Sequence, residues 1–228
     1  MTTKHVMGWR PGPMAERSTL KAALKRRTPK GDRFYKSSIV LDQGSSQLSA
    51  AHALWHWLVI HDRSFVGVSP EGLVRLATPR LVRANAVTTT TIEVLVGMLT
   101  THGVIARTYW TRHADHLRDA LLQSLGPAIV GLPWLDAMMQ PNAEGYIMAA
   151  GKRVGRHCVV IVGYDQERDA FRLLNSWGSA WGQLGRAWIR RRDLALLLAQ
   201  GEACVPVLAS DTKDERARWM NLLLQDRS

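Results

Sequence analysis

Two cysteines in 228 residues, Cys158 and Cys204, are too few to frame a disulfide-stapled fold. They favour a compartment in which the fold needs no cross-link. No apolar run reaches the roughly 18 residues that a membrane-crossing helix needs, and the opening MTTKHVMGWRPGPMAERSTLK has no apolar signal-peptide core. Export through a cleaved signal and a membrane partner are therefore not expected. Acidic residues are also scarce, 19 Asp+Glu against 30 Lys+Arg, for a formal net charge of +11. Such an excess speaks to association with acidic partners and not to fold. What remains is ordinary globular composition, 46% hydrophobic and 21% charged, which excludes a disordered or coiled-coil chain. At this length one domain with two lobes can bury a sizeable core.

The charge is unevenly placed. Residues 1–36 hold ten basic and two acidic residues, a net +8, while the remaining 192 residues hold twenty and seventeen, a net +3. The chain reads as a near-neutral body behind a basic N-terminal arm. Within the arm, 15–27 (AERSTLKAALKRR) spells a short helix with Leu20, Ala23 and Leu24 on one side. It is too short to be stable alone, so it docks or stays loose. A solvated arm and an arm touching an acidic protein or nucleic-acid surface both fit. No aromatic interleaving supports base readout.

The body changes character midway. Helices are expected over 47–62, from Ser69 through LVRLATPRL with Pro79 ending or kinking it, over 88–103 and over 114–126, the last two ended by Gly103 and by Gly126-Pro127. After residue 126 come short β-rich runs, AIVGLPW, HCVVIVGYD, AFRLLNSW and GRAWIRR. Helices first and antiparallel strands second is an α+β pattern with two lobes. The expected divisions are the arm at 1–36, a domain over 37–208 split near 126, and a helical extension over 209–228.

Three segments carry chemistry: 42–54 (DQGSSQLSAAHAL), 155–165 (GRHCVVIVGYD) and 175–189 (NSWGSAWGQLGRAWI). In this order they resemble the papain-like cysteine peptidases, across residues 39–192. The NSWGxxWGxxG run with a histidine 18 residues upstream is the most specific part. The resemblance implies a papain-like two-lobed fold with a helical left lobe and a β-barrel-like right lobe. It also implies peptide-bond hydrolysis through an acyl-enzyme, a peptide or protein substrate in the interlobe cleft, and no cofactor. Gln43 matches the oxyanion-hole glutamine, His157 the general base and acid, and Asn175 the residue that orients the imidazole. Trp177 matches the indole shielding the Asn–His bond. An amide side chain before a helix N-terminus can serve a developing oxyanion without any family argument, and the helix dipole adds to it.

The chain departs from the family where the nucleophile belongs. That position falls on Ser49, with Ser46 where many members have a disulfide cysteine and Ala50 where tryptophan is usual. Cys158 adjoins His157 on a strand and so faces the other way; Cys204 lies in the C-terminal segment after the last strand, and both read as small buried hydrophobes. A serine is not ionised at rest, so His157 must take its proton in the transition state. A carboxylate partner helps most there, and in the serine-protease template changing it to Asn costs about 10⁴-fold, roughly 5 kcal/mol. Asp42 and Asp165 match no triad position. Peptidase chemistry is thus expected to be absent or very weak as the chain stands. A natural pseudo-peptidase, an engineered replacement and a weak serine enzyme all remain open.

The start 8–11 (GWRP) and the late GEACVP resemble the bacterial and bacteriophage branch, which implies a cytoplasmic or virion location. The competing expectation is a structural or binding component of a phage particle, using the arm and the C-terminal helix 211–228 as contacts. His52 and His56 have the i, i+4 spacing of metal ligands but lack a third partner, so helix packing is expected. His113 and His116 read as a helix start. Trp134, Met138 and Met139 either line the cleft or pack beneath the loop 136–156.

Overall fold

A computed structural model describes residues 18–26, 29–78, 90–209, 218, 219 and 221. Its centre is helix α2, Ser49–His61, whose sequence SAAHALWHWLVIH has no Asp, Glu, Lys or Arg. A helix apolar on every side must sit inside, and here every side chain from Ser49 to Val59 is buried. Trp55 Nε1 donates to the Val68 carbonyl at 2.6 Å, tying the helix to the short 3₁₀ turn that follows, Arg63–Gly67. Helix α3, Pro70–Ala77, starts where Ser69 accepts from the Gly72 amide and Pro70 takes the first turn. Thr91 caps α4, Ile92–Thr101, in the same way.

Against these helices lies an eight-stranded sheet: β1, Arg33–Phe34; β2, Ile105–Thr111; β3, Ala128–Leu135; β4, Tyr146–Ile147; β5, Arg153–Asp165; β6, Ala170–Leu174; β7, Arg186–Arg190; and β8, Glu202–Leu208. The order is β2-β8-β3-β5-β6-β7-β4, with β1 added to β5. Every pair is antiparallel except β4 with β7. β5 is the shared wall. Its alternate side chains Cys158, Val160 and Val162 join the core around α2, while Val159 and Ile161 join a second core on the other face. Helices α5, Ala114–Leu122, and α6, Arg191–Leu198, close that second core.

The four helices and four β-rich runs expected of the body are all present, with ends shifted by a few residues. β1, β2, β8 and α6 have no counterpart in the expected pattern, and Cys204, expected after the last strand, lies within β8 because that segment pairs with β2 and β3. β2 interrupts the helical half and finds its partner β8 about a hundred residues later. Part of the basic arm also differs from a free segment. Leu20, in the four-residue helix α1, Leu20–Ala23, is fully buried, and Trp110 N donates to the Ser18 carbonyl at 2.9 Å. β1 pairs with Tyr164 and Gly163 of β5. A single buried leucine and a strand pairing give these residues a reason to dock that their charge conceals. Residues 1–17 and most of the 211–228 extension lie outside the described residues, although Trp219 is buried in the α2 core. Among the described residues no helix is long and apolar enough to cross a membrane.

Candidate active site

Ser49 is the first residue of α2 and is fully buried. Leu48, before it, caps nothing with its side chain, so the positive end of the helix dipole is not neutralised there by a capping group. The Cys158 amide donates to Ser49 Oγ at 3.3 Å, which brings β5 against the helix start. The neighbouring residue on that strand is His157, and alternation turns it to the opposite face. There His157 Nε2 donates to Asn175 Oδ1 at 2.7 Å, both residues being fully buried. Asn175 Oδ1 also accepts the Ser176 amide at 2.8 Å, which fixes the orientation of the carboxamide. With Nε2–H committed to Asn175, Nδ1 is the nitrogen that can exchange a proton.

Two indoles hold the imidazole. Trp177 lies over it at 4.7 Å between ring centres, tilted by 34°, and Trp134 meets it edge-on at 4.9 Å and 77°. Trp134 and Trp177 also touch each other at 5.5 Å. An imidazolium formed here would gain attraction from both ring systems. Trp134 is therefore a packing residue of the histidine. Met138 is fully buried in the second core, and Trp181 Nε1 donates to the Met139 carbonyl at 2.8 Å, so these methionines pack beneath the loop.

Gln43 is held by residues that sequence reasoning missed. Its Oε1 accepts from Ser176 Oγ at 2.6 Å, its amide donates to the Ser176 carbonyl at 2.8 Å, and Nε2 donates to the Ser46 carbonyl at 2.9 Å. Nε2 carries two hydrogens, so this bond uses one of them. The preceding residues are fastened too: Asp42 bridges Trp177, and Gly178 N donates to the Leu41 carbonyl at 3.0 Å. From below, His56 Nε2 accepts the Leu41 amide at 3.1 Å. Ser176 thus links the Gln43 turn to the Asn175–His157 pair, and His56 links it to α2. The serine stands in plain view in NSWG, but its partner Gln43 is 133 residues away.

Other expected and unexpected residues fall into place. Asp42 Oδ1 accepts the Gly44 amide, and Asp165 Oδ1 accepts the Arg168 amide, so both are turn residues. His52 Nδ1 donates back to the Leu48 carbonyl at 3.0 Å. Thr111 Oγ1 and His116 Nδ1 lie 3.1 Å apart at the start of α5, with His113 against the same ring. Among the described residues no group of three His, Cys, Asp or Glu is placed to hold a metal ion. Burial pushes the Cys158 thiol well up, and the nearby Glu202 pushes it further, so this cysteine stays protonated. Glu202 is a fully buried carboxylate that faces the same side of the sheet as Cys158, both being in register with Gly131. An acidic residue opening the apolar strand EACVPVL was its only sequence signal.

The buried histidines of α2 carry a pH consequence. Burial lowers His56 from 6.5 to about 3, helped by the nearby His52 and Arg186. Burial also lowers His52 and His61. A neutral folded histidine binds fewer protons than the unfolded chain below pH 6.5. Its contribution to stability is therefore complete above pH 6.5 and drains away as pH falls toward 3. For His56 the expected loss between pH 7 and pH 5 is about 2 kcal/mol. Urea unfolding at the two pH values checks it, and an unchanged midpoint would contradict a neutral, buried His56.

Residues 100–204 match the sequence profile of the papain family cysteine proteases, a stretch that holds His157 and Asn175 but not Gln43 or Ser49. The gamete and mating-type specific protein A of Dictyostelium discoideum is 37% identical over 86 residues, 36% of this chain and 19% of that protein. The chain therefore spans about a fifth of this curated relative. Among solved structures, xylellain, a cysteine protease from Xylella fastidiosa, superposes with a TM-score of 0.70 at 18% identity, covering 90% of this chain and 97% of xylellain. Digestive procathepsin L 3 of Tenebrio molitor gives 0.64 at 17%, covering 84% and 74%. Procathepsin B S9 of Trypanosoma congolense gives 0.65 at 11%, covering 90% and 87%. The chain has the papain-like two-lobed α+β fold, and its residues 100–204 are similar in sequence to the papain family cysteine proteases.

Proposed function

We propose that the chain binds polypeptide in a papain-like interlobe cleft, with Ser49 standing where the reaction needs a thiolate, so that peptide hydrolysis is feeble or absent. Ser49 is the nucleophile position, His157 the base and acid, Asn175 the orienting residue and Gln43 an oxyanion donor beside the α2 N-terminus. The observation that carries the reading is the 2.7 Å bond from His157 to Asn175, buried beneath Trp177. A histidine fixed in this tautomer and shielded from water is built to hold a proton at Nδ1. With a thiol at residue 49 the same histidine and the helix dipole would stabilise a thiolate–imidazolium pair. With a hydroxyl the proton stays on oxygen at rest.

Ser49→Cys tests the site directly: a thiol there would open α2 beside the His157 strand and be activated, whereas Cys158, no less buried than residue 49, is held protonated by burial and Glu202. A small thiol alkylator at neutral pH should add one label, at residue 49, and leave the other two unmodified in the folded chain. A peptide occupying the cleft should slow that labelling. Labelling at residue 49 no faster than that of an exposed unactivated thiol at the same pH would sink the assignment of His157 as its partner.

A further inference from the structure

The outer face of the β6–β7 ribbon presents four arginines whose charge the described protein leaves largely unanswered. Arg172 on β6 lies directly opposite Trp188 on β7, and its guanidinium stands 4.8 Å from the centre of the indole. Arg168, in the turn before β6, approaches the same ring at 5.2 Å. Arg190, two residues on from Trp188, covers Tyr146 at 5.1 Å. Arg186, two residues before it, donates to the carbonyls of Ser37 and Leu184. Asp165 pairs with Arg168 at 3.3 Å; among the described residues no carboxylate pairs with the other three.

Arg172 shows the imbalance best. It is half-buried, and its Nη1 hydrogen bond goes to a neutral group, Gln183 Oε1, at 2.7 Å. Burial, together with Arg186 and Arg168 nearby, lowers its guanidinium from 12.5 to about 10. A cation partly removed from water, surrounded by like charges and given no anion, is unfavourable in the isolated chain. An arriving anion would relieve that.

We propose that this face is a docking surface for an acidic segment of another polypeptide, read through its carboxylates. Guanidiniums held against aromatic rings, as those of Arg168, Arg172 and Arg190 are, keep a planar fork that can pair bidentately with carboxylate. Alternate residues of β7 stand about 7 Å apart, the repeat of alternate side chains on an extended peptide. A nucleic acid fits less well, because two guanidiniums already occupy the Trp188 ring that a base would stack on. The operation of this surface needs no hydrolysis.

The test uses the full chain with Arg168→Gln and Arg190→Gln, both exposed positions outside the candidate active site. A fluorescent peptide with glutamate at alternate positions is titrated against it and against the parent, alongside a single-stranded oligonucleotide of equal charge. Lys21→Gln with Lys25→Gln controls for the basic N-terminal residues. The expected result is peptide affinity at least tenfold weaker in the arginine variant, within threefold in the lysine variant, and oligonucleotide binding weaker than peptide binding in the parent. Equal peptide affinity in the parent and the arginine variant overturns the proposal. So does tighter oligonucleotide binding that the arginine variant abolishes. A thermal melt matching that of the parent establishes that the variant is folded.

Discussion

Ser49→Cys should raise peptide hydrolysis by about three to four orders of magnitude over the chain as it stands, and a thiol alkylator should abolish the gain. The size follows from the partner of His157. Asn175 can orient the imidazole through its 2.7 Å bond, but a neutral amide cannot balance a new positive charge. A serine must create that charge on the way to the transition state. In serine peptidases losing the carboxylate costs about 10⁴-fold, equivalent to roughly 5 kcal/mol. A cysteine avoids most of this, because its proton moves to the histidine before substrate arrives. Trp177 and Trp134 would stabilise the resulting imidazolium. Adding His157→Ala to the cysteine form should then cost about 10²–10⁴-fold, the usual worth of a positioned acid–base group. Initial rates on a fluorogenic peptide decide both. Parent and cysteine forms of equal activity would show that residue 49 is not the nucleophile position.

The second large effect is on stability. Trp134→Ala removes one of the largest fully buried side chains from the junction of the second core with His157. Deleting a buried indole typically costs about 3–5 kcal/mol, and at this size each kcal/mol lowers Tm by about 2–4 °C. A fall of roughly 6–20 °C is expected. Trp134→Phe is the informative companion. Among the described residues Trp134 Nε1 has no hydrogen-bond partner, so the exchange forfeits no polar contact and should keep most of the stability. In the Ser49→Cys background Trp134→Ala should lower kcat more than it raises KM, because the imidazole loses its edge-on neighbour. A melt within about 2 °C of the parent, below the smallest shift expected for a lost core indole, would mean that this side chain does not support the core.

Much of the fold was legible because its signals are local. Ser69-Pro70 and Thr91 are capping residues whose hydrogen bonds reach three positions along the chain, and the structure places both at helix starts. The uncharged run that became α2 has only one comfortable place, the interior. β2 escaped because its reason for being a strand is β8, far away in sequence, and its own pattern is broken by a register shift between Ile105 and Arg107. The N-terminal stretch, which its sequence left either docked or loose, was undecided for a related reason. Ten cations advertise a solvated arm, while the docking of residues 18–26 depends on Leu20 and a few backbone bonds.

The sequence by itself determined the order of the main helices and strands, the facing of Cys158 away from His157, and the absence of a thiol at residue 49. These follow from side-chain type and periodicity, which need no partner to be read. Only the tertiary structure decided that Ser176 fastens Gln43, that His56 holds Leu41, that Trp134 braces His157, and that four arginines share one face. Each of those is a meeting of residues distant in sequence or brought to one face by strand pairing. A hydrogen bond or a stacked ring exists only once the chain has paid the entropy of bringing its ends together.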